Sequence, residues 1–220
     1  LLTLPLRQLQ GLTLAGLTAD GLAAALLRLD GDPQARLQTD EEDFDPREPL
    51  REQLETSLQV SWQRFVSFWK RDGEDLEQCF RSTAGQWKAM GFKPSPYSPK
   101  PTSDRCAQVD RWVGAQRSTP DLCSIRAQQK LLHDYFHPGV WCRTARKCGE
   151  EEPSLAAPDL QRAIADLWDG PIERVWRYAL QRGLQQLHQR RQSSGTVSFA
   201  GLVMAMDPGE AEADRKSTRL

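Results

Sequence analysis

Apolar residues along this chain of 220 residues recur at spacings of three, four and seven, and no stretch alternates apolar with polar for more than about five positions. The first pattern lays a stripe along a helix. The second is what a half-buried strand needs, and it is missing. No Asn-Gly or Asp-Gly pair sits between alternating runs, so hairpins lack their turn signal too. The pattern predicts an all-α fold, an irregular multi-helix domain of about seven or eight helices with no repeat period. The length fits one domain or one large piece of one. A helical domain is expected over 1–207, with 208–220 a polar tail. No apolar run approaches the ~20 residues that span a bilayer, so no membrane partner is expected.

Start and stop signals divide the stripes. Thr18 or Asp20 caps a short helix through Leu22, Leu26, Leu27 and Leu29, stopped at Asp30-Gly31. Asp45-Pro46, a cap before a proline, opens the face Leu50, Leu54, Leu58, Phe65, Phe68 and Trp69, which Gly73 ends. Leu76, Cys79, Phe80 and Trp87 continue after that break. Ser103 caps a helix bearing Cys106, Val109, Trp112 and Val113. Thr119-Pro120 repeats the cap and proline ahead of Leu122, Ile125, Leu131, Leu132 and Tyr135, and Pro138-Gly139 stops that run. Pro158 opens Leu160, Ile164, Leu167 and Trp168 up to Gly170. Pro171 then opens the best-defined stripe, Ile172, Val175, Trp176, Ala179, Leu180, Leu184 and Leu187. Ser198 caps a last short helix over 199–206.

Three segments read as connections. The acidic stretch 38–45 reads as a solvated linker. Residues 91–103, with Pro94, Pro96, Pro99 and Pro101, read as an extended, stiff spacer. The acidic stretch 149–158 reads as a mobile loop. Of the seven Trp, Trp69, Trp112, Trp168 and Trp176 fall on apolar faces and read as core. Trp62, Trp87 and Trp141 are less constrained, with core packing favoured over base stacking.

The chain carries no phosphate-binding loop, dinucleotide fingerprint, nucleophile elbow or His-Glu-x-x-His motif, and no cofactor is expected within it. His133, His137, Cys142 and Cys148 are the only metal-like grouping, with donor types that suit zinc. The helix break at Pro138-Gly139 and the wide Cys spacing speak against it, and Trp141 and Cys142 read as core. Five Cys, an odd number with no signal peptide before them, point to reduced thiols and a cytoplasmic location. The first residues, Leu1-Leu2-Thr3 without a Met, read as those of an excised piece.

Net charge is −1, yet residues 87–147 hold eleven basic side chains against four acidic ones. Such a stretch suits phosphate contacts that release counterions, while a solvated face with scattered Arg is the competing reading.

The C-terminal third is similar to a known family. Trp176-Arg177-Tyr178-Ala179-Leu180 runs through Gln189-Arg190-Arg191-Gln192 into Gly195-Thr196-Val197-Ser198-Phe199-Ala200-Gly201-Leu202-Val203. A long helix ending in basic residues, then this Gly- and Phe-bearing element, resembles UvrD-like superfamily 1 helicases, nearest their RecB branch. The likeness is carried by 170–207 and extends to 87–113 and to the Gly- and Leu-rich stretch 11–31. It departs from the family at Ala200 and Gly201, where acids are usual. The resemblance implies the helical insertion of the first motor domain, called 1B, in an ATP- and magnesium-dependent helicase–exonuclease subunit. It implies double-stranded DNA near a fork or end as partner, together with other subunits of a helicase–nuclease complex. On that reading Lys88, Lys93, Arg105, Arg111, Lys130, Arg190 and Arg191 are expected to contact phosphates. The alternatives are a helical protein-interaction module and a small zinc module.

Overall fold

The computed structural model describes residues 4–31, 49–93 and 97–196. Among these residues there are eight α-helices and no strand, the all-α architecture that the stripes predict. They are α1 (Leu6–Leu14), α2 (Ala19–Gly31), α3 (Leu50–Ala89), α4 (Pro99–Ala115), α5 (Leu122–Arg126), α6 (Gln129–Leu131), α7 (Pro138–Lys147) and α8 (Pro158–Ser194). A π-helical turn, Leu132–Phe136, joins α6 to α7. The chain divides into two compact units, one of Leu1–Gly16 with Leu50–Arg174, the other of Leu17–Pro49 with Val175–Leu220. No single helix among the described residues is long and apolar enough to cross a membrane.

The first unit is organised by α3. Its 40 residues keep one buried stripe from Leu50, Leu54 and Leu58 through Trp62, Phe65 and Trp69 to Leu76, Phe80, Ala84 and Trp87. The expected stop at Gly73 does not occur. A helical glycine costs about 1 kcal/mol, and the stripe beyond it recovers far more by burial. The indole of Trp69 lies over the bare glycine, 3.4 Å from where a Cβ would stand.

Around Phe80 the core is aromatic. The ring stacks on Trp141 at 4.3 Å and meets Tyr97 edge-on at 4.8 Å. Tyr135 and Phe136 complete the shell. The polar tips are satisfied inside: Tyr97 donates to the Tyr135 carbonyl at 3.1 Å, and the Tyr135 hydroxyl shares a 2.6 Å hydrogen bond with Thr102. Trp62, Trp69, Trp87, Trp141 and Trp168 are buried, while Trp112 and Trp176 are half-buried, so two of the expected core indoles sit at the edge.

Five further expectations are corrected. The proline-rich spacer is helical from Pro99, with Ser98 rather than Ser103 at the cap position. The first N–H groups of a helix have no partner within it, so Pro99 and Pro101 lose nothing there. Asp121, not Thr119, caps α5 by accepting from the Ser124 N–H at 2.8 Å. The run to Tyr135 is broken into α5, α6 and the π-turn, whose extra residue lets Leu132, Tyr135 and Phe136 all be buried. Past Pro138 the chain starts α7, which no stripe announced, with the His137 side chain as its cap. Helix α8 runs through Pro171 as one element; Pro171 removes the N–H that the Leu167 carbonyl would use.

The loop 149–158, read as mobile, is tied down. Trp87 donates to Glu150 at 2.8 Å, and Trp141 to the Ser154 carbonyl at 2.8 Å. A buried indole N–H needs an acceptor, and this loop supplies both. Helix α1, also unannounced, packs on α5 so closely that a Cβ on Gly11 would stand 2.8 Å from the Cys123 backbone nitrogen.

In the second unit Thr18 caps α2 as expected, accepting from the Gly21 N–H at 3.1 Å. Gly183 of α8 faces the Leu26 methyls, 2.7 Å from where its Cβ would stand. Arg191 makes a paired hydrogen bond to both oxygens of Asp30. The acidic stretch 38–45, the Asp45-Pro46 cap, Pro94, Pro96, the helix expected over 199–206, Ala200, Gly201 and the tail 208–220 lie outside the described residues.

Candidate functional site

Helix α4 carries Arg105, Gln108 and Arg111 at successive i, i+3 positions, which puts them on one face. Gln108 also lines an open cleft of about 570 Å³, together with Arg126, Gln128, Gln129, Lys130 and Asp134. Of the expected phosphate contacts, Lys130 lines this cleft, and Arg105 and Arg111 do not. Arg111 and Lys130 are exposed. Arg105 is half-buried, with its guanidinium carbon 4.1 Å over the Tyr135 ring. Asp134 adds one negative charge to the rim and shares a 2.8 Å hydrogen bond with His133.

Lys88 and Lys93 are exposed at the C-terminal end of α3, where Phe92 packs against Gly149 beyond the end of α7. Arg146 and Lys147 close α7. Cations at helix C-termini interact favourably with the carbonyl end of the dipole, which accounts for Lys88, Arg146 and Lys147 without a ligand. In the second unit Arg190 is exposed, whereas Arg191 is engaged with Asp30, whose carboxyl the Arg191 hydrogen bond holds below the usual range.

The four zinc candidates serve separate purposes. His137 accepts from the Gly139 N–H through Nδ1 at 3.1 Å, so Nε2 carries the proton and donates to Asp169 at 2.9 Å. The His133 ring lies 5.3 Å from that of Trp168. Cys142 is half-buried rather than core, and Cys148 is buried. Among the described residues no group of three or more His, Cys, Asp or Glu is placed to hold a metal ion. All five cysteines are unpaired.

The hydrogen bond from His137 holds the Asp169 carboxyl below the usual carboxylate range, against burial and with help from the charges of Arg126 and His133. A carboxylate whose folded pKa is lowered stabilises the fold above its unfolded pKa, and that stability is lost as pH falls through the folded value. The stability difference between wild type and Asp169→Asn is therefore expected to be full at pH 6. It should shrink as pH falls below about 4. Urea unfolding of both proteins across that range checks it, and a difference that grows on acidification contradicts it.

Arg126 is one of the eleven basic residues of 87–147, but nothing local singled it out, because its partner Trp168 is 42 residues away. It is 8% exposed, its Nη2 donates to the Trp168 carbonyl, and its guanidinium carbon lies 3.9 Å over the Trp168 ring. Burial pushes its pKa down to about 10, and Asp169 offsets part of that. The Trp168 carbonyl lies in the turn before Pro171, where the helix ladder is interrupted.

No family model matches the chain, and no match was found among the curated proteins or the solved structures.

Proposed function

We propose that this chain is a non-catalytic accessory domain of the 1B type from a RecB-like helicase–exonuclease subunit, acting in double-strand break repair, and that it holds duplex DNA near a fork or end. The reading is carried by one observation: Lys130 lines an open cleft together with Arg126, inside a stretch that holds eleven basic side chains against four acidic ones. The all-α architecture and the sequence resemblance at 170–207 support it. ATP and magnesium belong to the motor of the parent and engage no residue described here. Contacts of this kind go to the backbone, so they position DNA without reading its sequence.

Binding to a duplex with a single-stranded tail is expected to weaken linearly on a log–log plot against salt. The double variant Arg111→Ala, Lys130→Ala should lower that slope by about two, roughly one per phosphate contact. Fluorescence anisotropy at several salt concentrations measures it. Unchanged affinity and slope would sink the assignment. A second reading, docking of another subunit, is favoured by Met90 and Phe92, large apolar side chains exposed beyond α3 at 61% and 37%.

A further inference from the structure

Arg126 is a buried cation with no carboxylate in ion-pair contact, and Asp169 acts on it only at a distance. Its guanidinium forms no ion pair with any described carboxylate, and Nε is buried with no acceptor. Charged side chains are almost never this deeply buried unless paired, because desolvation costs several kcal/mol. The Trp168 ring and carbonyl compensate part of that, and Asp169 spends its hydrogen bond on His137 rather than on Arg126. Arg126 lines the cleft together with Gln108, Gln128, Gln129 and Lys130. Two cations and three amides face that space, with Asp134 as the single acid. An empty apolar cleft needs no such set, and a cation-binding one would not be floored by Arg.

We propose that this cleft is a phosphate-binding site in which Arg126 is the buried partner and Lys130 the rim partner of one phosphate group. The net charge of the lining, one positive, matches a singly charged phosphodiester or a monoprotonated monoester. Arginine suits this role because its planar fork matches phosphate oxygens, and the Trp168 ring holds the fork in one plane. The glutamine amides add neutral donors around it. The phosphate has two possible sources, a nucleic-acid backbone and a free nucleotide, and both present the same oxyanion. The site shares Lys130 with the proposed DNA contacts, but the chain can bind phosphate here without binding duplex DNA.

The test follows the Arg126 Nε–Hε resonance, assigned through bonds, during titration with inorganic phosphate, adenosine monophosphate or a short DNA duplex. Sodium chloride at matched ionic strength is the control. A saturable shift with inorganic phosphate, absent with chloride, is expected. Lys130→Ala, an exposed change that leaves the fold intact, should weaken phosphate binding by about three- to tenfold. Arg126→Gln lacks this resonance and is read by calorimetric titration with inorganic phosphate, in which saturable binding should be lost. The duplex arm moving the resonance at lower concentration than the nucleotide arm assigns the site to a backbone phosphate, and the reverse assigns it to a free nucleotide. The proposal is overturned if none of the three ligands moves the resonance, if chloride reproduces the shift, or if Lys130→Ala leaves the affinity unchanged. Failure of duplex binding alone, with phosphate still bound, counts against the proposed function and leaves this site standing.

Discussion

Replacing Phe80 by alanine is expected to destabilise the first unit by about 3–5 kcal/mol, the range for losing a fully buried aromatic ring. The side chain is 0% exposed and sits at the centre of the aromatic shell. Its loss removes the parallel stack on Trp141 and the edge contacts with Tyr97 and Tyr135 together. Those rings are anchored by their own hydrogen bonds, Trp141 to Ser154 and Tyr135 to Thr102, so they are held back from filling the hole. The measurement is urea unfolding followed by near-ultraviolet circular dichroism. Phe80→Leu, which leaves a smaller cavity, should cost about 1.5 kcal/mol or less. An alanine variant within 1 kcal/mol of wild type would show that the core collapses around the site and that the described packing is not what stabilises it.

Replacing Gly11 by valine is expected to undock α1. Its Cβ would stand 2.7 Å from the Leu122 Cγ and 2.8 Å from the backbone of Leu122 and Cys123. Backbone atoms of a capped helix cannot turn aside as a methyl can, so the two helices must separate. The cost is about 3 kcal/mol, at the upper end for overpacking, and it is limited by what docking α1 contributes. Separation also exposes Leu12 and breaks the hydrogen bond from the Leu122 N–H to Gln8. Amide hydrogen exchange should then be fast over Leu6–Leu14 and still slow along α3. Gly183 provides the contrast, because its close neighbours are the Leu26 methyl tips, which can rotate away. Protection of α1 that survives Gly11→Val would contradict the close approach.

The all-α class was legible because helical stripes depend on side-chain chemistry along one segment. The caps at Thr18 and the start at Pro158 are equally local and match. What escaped depends on contacts distant in sequence. Gly73 and Pro171 are punctuation by their own chemistry, and the burial on either side overrides them. Pro99 and Pro101 read as extended until their place in a first turn, where their missing N–H groups are free of cost, is known. Helix α7 is too short for its stripe to stand out, and His137, weighed for zinc, supplies its cap instead. For the site, composition singled out the stretch 87–147; of the residues expected there to contact phosphate, Lys130 lines the cleft and Arg105 and Arg111 do not. Arg126 was counted in that stretch but not singled out, since nothing beside an arginine says that a tryptophan 42 residues later will cover it.

The Asp30–Arg191 clasp joins residues 161 positions apart, and in sequence the whole of the first unit's 50–174 segment lies between α2 and its partner stretch of α8. Closing a loop of that length through an unstructured chain costs about 4–5 kcal/mol in entropy. Prior folding of the intervening segment changes that cost, which favours an order of assembly with the inserted unit first. During translation at about 5–20 residues per second, α2 is made roughly ten to thirty seconds before Arg191. For that interval the ribosome-bound chain holds Leu22, Leu26 and Leu29 without the helix that covers them, a window in which a general chaperone has something to bind.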